Sequence, residues 1–255
     1  MAVLVGTSGW HYPHWKSSFY PVRMPATRWL EYFAQRFATV ELNNAFYRLP
    51  ERSTFTTWAG AVPRDFTFAV KASRYLTHIR RLREPEEPAR RLLERAAGLG
   101  DKLGPVLLQL PPTLRIDLDA LDETLAAFGP AMRLAVEFRH LSWFDPATRA
   151  LLERGGAALC LSDSDGRGPP RWRTADWGYV RFHHGRAQPP SCYGRTALRT
   201  WATRLAEMWP RSADVYAYFN NDAYGCALRN ACSFAAAVAG VGLSPTRVPP
   251  LRSGE

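Results

Sequence analysis

Glu41 and Glu137 are carboxylates set inside apolar runs, Thr39-Val-Glu41-Leu-Asn43-Asn44 and Ala135-Val-Glu137-Phe-Arg139-His140. A buried carboxylate is costly unless paired, and partial desolvation would raise its pKa toward the range where a general acid or base works. The two are therefore the acid/base candidates. Lys71 ends a third run, Phe68-Ala-Val-Lys71, and is one of only three lysines in the chain. A lysine there can act as a base, form a Schiff base, hold a phosphate or pair with Glu41. Nothing beyond its position supports aldolase-like chemistry, so an electrostatic role is the better reading. Alternation puts Asn43 on the face of Glu41 and Arg139 on the face of Glu137. With Arg181, these groups would hold an anionic substrate. The structural alternative is an ion network of Glu41, Glu137, Lys71, Arg139 and Arg181 that simply fills the space between them.

Other segments end in the same kind of residue. They are Val106-Leu-Leu-Gln109, Val180-Arg181-Phe-His183-His184 and Tyr218-Phe-Asn220-Asn221-Asp222, and His140 follows Arg139. All are candidates for substrate binding, although adjacent His183 and His184 cannot point the same way from a strand. Asp222 has a plainer alternative as the cap of the last helix. Trp10, Tyr12, Trp15, Phe19, Tyr20, Phe46, Tyr47 and Trp143 also fall beside these ends. Such rings stack on a sugar or a base, or else form a hydrophobic lid built from the loop Trp10 to Pro21. Glu41, Glu137, Asp163, His183 and Asp222 have the ligand types for a divalent metal, but no local ligand motif accompanies them. No motif demands an organic cofactor.

The elements that would carry these groups are short apolar runs near residues 3 to 8, 39 to 46, 66 to 72, 106 to 110, 134 to 139, 158 to 162, 177 to 183 and 214 to 220. Each suits a strand buried on both faces. Helical patterns separate most of them. Thr27 is placed to cap a helix presenting Leu30, Phe33, Ala34 and Phe37, and Asp145-Pro146 is an N-cap followed by proline. Further amphipathic segments are Asp117 to Phe128, Thr196 to Trp209 and Tyr224 to Val238. Alternation of this kind over 255 residues predicts an α/β fold, a single-domain (β/α)8 TIM barrel over 1–255. Its strand ends would then converge in one bowl. Ser164-Asp-Gly-Arg-Gly-Pro-Pro170 leaves no room for a helix, so the barrel should be irregular between the sixth and seventh strands.

A formal charge of +10 invites a nucleic-acid partner, because a basic surface attracts phosphate. Only three of the 33 basic residues are lysines, however, and the arginines are scattered along helical faces that solvent would cover by default. No apolar run is long enough to cross a membrane. The first ten residues read as a strand and not as a leader. Cys160, Cys192, Cys226 and Cys232 have no metal-ligand spacing and read as reduced thiols of a cytoplasmic protein, with Cys226 and Cys232 as small buried residues of a helix.

The chain also resembles a known family. The residues that carry the resemblance are Gly6-Thr-Ser-Gly-Trp10, Phe19-Tyr-Pro21, Val40-Glu-Leu-Asn43 and Phe46-Tyr-Arg-Leu-Pro50, then Phe68-Ala-Val-Lys71, Thr77-His78 and Leu103-Gly-Pro-Val-Leu-Leu-Gln-Leu-Pro-Pro112. Glu137-Phe-Arg-His140 with Trp143, and Phe219-Asn-Asn-Asp222 with Asn230-Ala231, complete the set. Over about residues 4 to 235 this is similar to the DUF72, or YecE-like, family. The resemblance implies a TIM barrel and, through comparison with barrel endonucleases, nucleic-acid binding. The family usually has Arg-x-His-Gly where this chain reads Arg181-Phe-His-His-Gly185, so either histidine is the counterpart. Three functions remain open: an enzyme, hydrolase-like, cleaving a phosphoester of an anionic small molecule or nucleic acid; a non-catalytic nucleic-acid-binding protein; and a sugar or sugar-phosphate enzyme with tryptophans as its platform.

Overall fold

The computed structural model describes residues 1–163 and 168–250. The apolar runs become eight parallel strands: β1 (Ala2–Ser8), β2 (Thr39–Leu42), β3 (Thr67–Lys71), β4 (Leu103–Gln109), β5 (Leu134–Glu137), β6 (Ala158–Asp163), β7 (Gly178–Phe182) and β8 (Asp214–Phe219). Each pairs with its sequence neighbour, and β1 pairs with both β8 and β2, so the sheet closes into a barrel. A two-residue strand, β9 (Ser244–Pro245), joins the amino end of β1. The helices are α1 (Trp29–Ala34), α2 (Asn44–Tyr47), α3 (Arg52–Gly60), α4 (Glu86–Ala96), α5 (Leu118–Phe128), α6 (Pro146–Arg154), α7 (Arg195–Met208) and α8 (Cys226–Gly240). This is the (β/α)8 architecture.

Side-chain alternation sorts each strand between two cores. Val3, Val40, Val70, Leu108, Val136, Leu161, Val180, Phe182 and Phe219 belong to a large apolar cluster shared with the helices. Residues of the opposite parity, among them Ala69, Leu107, Ala135, Cys160, Trp177, Tyr179, Tyr216 and Tyr218, form a separate cluster. On the alternation rule this second set is the barrel interior. Small alanines leave room there for the large rings. Toward the amino ends of the strands Arg133 lies over Trp177 and bonds Tyr216 Oη at 3.2 Å, and Tyr218 Oη meets Thr39 Oγ1 at 2.7 Å. One further step of two residues along β2, β5 and β7 leads from this packed layer to Glu41, Glu137 and Arg181.

Local chemistry explains most boundaries. Asp117 and Asp145 cap α5 and α6 by accepting from Ala120 N and Ala147 N, with Pro146 opening α6. Thr27 does not cap a helix; it lies in a 3-10 turn, Ala26–Arg28, that runs straight into α1 and leaves no N-cap position for it. The run expected as strand over 39 to 46 stops at Leu42, because α2 begins at once and carries Phe46 to the mouth. The link from β6 to β7 has no helix among its described residues, while the ladder between those strands runs unbroken from Cys160↔Tyr179 to Asp163↔Phe182. Residues 164–167 of that link lie outside the described part. The register shift of the barrel lies between β3 and β4.

The cysteine reading needs correcting. Cys192 and Cys226 form a disulfide, with Cα atoms 5.1 Å apart. It ties the loop before α7 to the first residue of α8, so the thiols give no argument for a reducing compartment. Cys160 is buried and free. No helix among the described residues is long and apolar enough to cross a membrane.

Candidate functional site

Arg181 is the hub of the carboxyl end of the barrel. Only 1% exposed, it donates through Nη2 to Glu41 Oε1 at 2.8 Å and through Nη1 to Glu137 Oε2. Glu41 also accepts from Ser8 Oγ, and from Tyr179 Oη at 2.6 Å. Glu137 accepts from Gln109 Nε2 at 3.0 Å, Arg139 Nη2 at 2.6 Å and His183 Nε2 at 3.0 Å. Every oxygen of both carboxylates is engaged. The ion network anticipated from sequence is present here, except that Lys71 bonds neither glutamate.

The expected upward shift of the carboxyl pKa values is reversed. Burial does push both up, but at Glu41 the Arg181 charge and the Ser8 and Tyr179 hydrogen bonds outweigh it, leaving the pKa below the usual value. At Glu137, Arg181, His183 and Arg139 together leave it well below. Both are ionised at neutral pH, which suits them to fixing cations and not to donating protons. Burial would lower the pKa of Arg181, and the two carboxylates hold it well above normal.

Lys71 lies one step outward in this network. Nζ donates to Gln109 Oε1 at 2.7 Å and lies 4.0 Å from the centre of the Phe46 ring. Gln109 thus receives from the lysine through its oxygen and gives to Glu137 through its nitrogen. Burial first, and then the positive charge of Arg181, push the Lys71 pKa down to about 8. Both of its protonation states are therefore accessible near neutrality. His183 is also pushed down, by burial, and its imidazole is bracketed by Glu137 at Nε2 and by Asn220 Nδ2 at Nδ1, 3.1 Å away. Donation from Asn220 to Nδ1 assigns the ring proton to Nε2. Arg139 Nη2 lies 3.0 Å from the same Nε2.

Above this floor a hollow of about 430 Å³ is walled by Gln109, Arg139, His78, Phe138, Leu141 and Phe144 among others. Gln109, Arg139 and His183 each contact Glu137, with Lys71 joined to Gln109 and Asn220 to His183 one contact further out. The arrangement can bind an anion above two compensated carboxylates.

Several candidates serve other purposes. His184 points away from His183 and toward Ser191 at 3.0 Å, so His183 is the histidine of the bowl. His140 caps a short 3-10 turn, Leu141–Trp143, through Ser142 N. Asn221 donates to Ser191 O and Asn230 Oδ1. Gly225, and not Asp222, stands at the N-cap of α8, but the Asp222 carboxylate accepts from Ala227 N in the first turn of that helix as well as from Trp15 Nε1, and pairs with His14 at 2.6 Å. Asn43 stands at the N-cap of α2, its Oδ1 buried without a partner among the described residues. Trp10, Trp15, Tyr20 and Trp143 are buried, with Tyr20 stacked on Trp29 at 4.7 Å and Trp143 on Phe138 at 4.7 Å. The lid reading accounts for them, and the tryptophan platform for a sugar is lost. Tyr47, 79% exposed, is free at the rim.

The metal candidates do not gather. Asp163 serves Tyr193, Asp222 serves Trp15 and His14, and the glutamates serve Arg181. Among the described residues no group of three or more His, Cys, Asp or Glu side chains is placed to hold a metal. Sequence reasoning missed Ser8, Tyr179 and His78. Tyr179 had a signal, since it stands two residues before Arg181 and shares its face.

Comparison with known proteins agrees with this fold. The chain is 26% identical to the UPF0759 protein YunF of Bacillus subtilis, over 89% of this chain and 92% of the relative. It is 30% identical to the UPF0759 protein YecE of Escherichia coli over 56% of this chain and 50% of that protein. A DUF72 family protein from Thermotoga maritima superposes with a TM-score of 0.80 at 28% identity, covering 92% of this chain and 98% of the other. One from Enterococcus faecalis gives 0.78 at 20% identity, covering 98% and 99%, and shares the fold. With the family model for "protein of unknown function DUF72" matched over residues 4–251, the chain belongs to the DUF72 family.

Proposed function

We propose that the chain is an enzyme acting on an anionic substrate in the bowl, with phosphoester hydrolysis, in a small molecule or in nucleic acid, as its concrete form. The observation that carries this reading is Lys71. Its amine is desolvated on Phe46, is bonded to an amide oxygen instead of a carboxylate, and is linked through Gln109 to Glu137, which also holds Arg139 and His183. A structural lysine would be expected to meet one of the nearby glutamates. With a pKa of about 8 both protonation states of Lys71 are available near neutrality, which suits general acid/base work.

In such a hydrolysis water attacks phosphorus as the ester P–O bond breaks, and the proton the water loses returns Lys71 to its ammonium form after that group has given its own away. The ammonium form of Lys71 supplies the proton to the departing oxygen, while Arg139 stabilises charge on the phosphoryl oxygens. Glu41 and Glu137 are positioning residues in this scheme, because they hold Arg181 and Arg139 in place. The test is release of phosphate from glycerol phosphate and of alcohol from a dialkyl phosphate, whose leaving oxygens need a proton, by the protein and its Lys71→Met and Arg139→Gln variants. Loss of at least about a hundredfold in kcat for Lys71→Met supports the role, the range typical of a general acid or base. No turnover by the parent, or full turnover by Lys71→Met, overturns it.

A second reading, nucleic-acid binding without turnover, is favoured by the rim. Tyr47 and Tyr75 are exposed and line a shared hollow with Arg48 and Arg74. Binding of a single strand that weakens steeply with salt, with no product formed, would select it.

A further inference from the structure

Beside the bowl lies a second cavity of about 500 Å³, bounded by the end of β6, the connection from β7 to α7, and α7 itself. Arg171, Arg186 and Arg204 line it together with His184 and Thr200. One carboxylate, Asp163, also lines it, and Asp163 is already hydrogen-bonded to Tyr193. The three guanidiniums have no hydrogen bond or ion pair among the described residues; Arg204 lies over the Trp201 ring at 5.0 Å. Among the described residues three positive charges therefore face one lining negative charge, with Asp163 and Glu207 both acting on Arg204. Arg28, Arg90, Arg149 and Arg247 each pair with a carboxylate, whereas the three arginines of this cavity do not among the described residues.

Two further features bear on what the cavity could hold. Burial, and then the charge of Arg171, work against the charge of Arg204 more than Asp163 and Glu207 support it, which places Arg171 and Arg204 close enough to share one anion. The cavity adjoins the hollow above Gln109 and Arg139, since Ser162 and Pro169 line both. α7 begins at Gly194 with no side-chain cap, and Ala197 in its first turn borders the cavity, which adds the positive end of a helix.

We propose that this cavity is a phosphate subsite, which holds a phosphate carried by the substrate some distance from the group that reacts beside Lys71. The proposal rests on the reading of the bowl as an enzyme site and narrows its substrate to one with two separated points of recognition. Guanidinium forks match phosphate oxygens in pairs, which is why arginines and not lysines suit the position. The phosphate is either a terminal monoester or a backbone diester, and both present the same oxygens.

The test is calorimetric binding of inorganic phosphate to the full chain and to Arg204→Gln, Arg171→Gln/Arg204→Gln, Arg204→Lys and Lys71→Met variants, each checked for folding by circular dichroism. Affinity should fall about tenfold or more in Arg204→Gln and further in the double variant, with a smaller loss in Arg204→Lys, which keeps the charge without the fork. Arg90→Gln, exposed on α4 and lining neither cavity, measured alongside, should leave that binding within about twofold. Glycerol phosphate and a dinucleotide run beside inorganic phosphate identify the source, and tighter binding of either supports the subsite. No phosphate binding by the parent, or binding that survives in the arginine double variant and is lost in Lys71→Met, overturns the subsite. The latter result leaves the bowl reading standing, whereas unimpaired turnover in Lys71→Met would end that reading alone.

Discussion

Replacing Arg181 by Met should leave a carboxylate buried without a cation. Glu137 would keep Arg139 and His183, but Glu41 would retain only the Ser8 and Tyr179 hydroxyls. Removing one partner of a buried ion pair costs about 3–5 kcal/mol, a large share of the roughly 5–15 kcal/mol that stabilises a typical domain. For a chain of this size that corresponds to a fall of roughly 6 to 20 °C in Tm. The pH dependence sharpens the expectation. In the parent both carboxyls titrate below their unfolded value, so their contribution is complete above it and is lost as pH falls through the folded values. In the variant burial prevails at Glu41 and its folded pKa rises above the unfolded one, so acid now relieves the cost. Urea denaturation should therefore show a deficit that shrinks between about pH 8 and about pH 5. Glu41→Gln/Arg181→Met should be more stable than Arg181→Met, because the stranded charge is gone. A deficit below about 1 kcal/mol, the level of an exposed pair, would refute the reasoning. So would a deficit that does not change with pH, or a double variant no better than the single one.

Lys71→Met should stabilise the fold near neutral pH. The folded pKa of about 8 lies below the unfolded value of 10.5, so the unfolded chain binds the extra proton and stability rises as pH climbs between them. The gain should be on the order of 2 kcal/mol at about pH 7, after allowing for the lost Gln109 hydrogen bond, and should vanish above about pH 10; chemical denaturation at both values checks it. Gly185→Ala should destabilise by about 1–3 kcal/mol or more, since a Cβ there would stand 2.0 Å from the backbone oxygen of Cys192; thermal denaturation reads it. Protein denatured without reductant should release thiols from Cys160 and Cys232 alone. Reduction of Cys192–Cys226, which closes 34 residues, should cost about 2–4 kcal/mol.

The barrel was legible because each strand is a short run buried on both faces, and because such strands deliver their ends to one bowl. Glu41, Lys71, Gln109, Glu137 and Arg181 share the inward parity, so their convergence followed from alternation alone. Their protonation did not follow. It depends on Arg181 reaching Glu41 across 140 positions of sequence and on Tyr179 and Ser8 completing its shell, distances that no local pattern encodes. The same limit hid the Cys192–Cys226 bond, whose partners meet only because α8 packs against the loop before α7. Arg171 and Arg204 were lost among many scattered arginines, and only the fold shows which of them lack carboxylates.

The scarcity of lysine makes one measurement unusually clean. With the lysine Cε carbons isotope-labelled, the NMR spectrum holds three resonances, from Lys16, Lys71 and Lys102. Titration should show one of them, absent in Lys71→Met, with a midpoint near 8, and that signal should shift when an anionic substrate analogue such as glycerol phosphate fills the bowl. Three resonances that all titrate near the ordinary lysine value, and a Lys71 signal indifferent to every anion offered, would contradict the account of the bowl as an enzyme site built around Lys71.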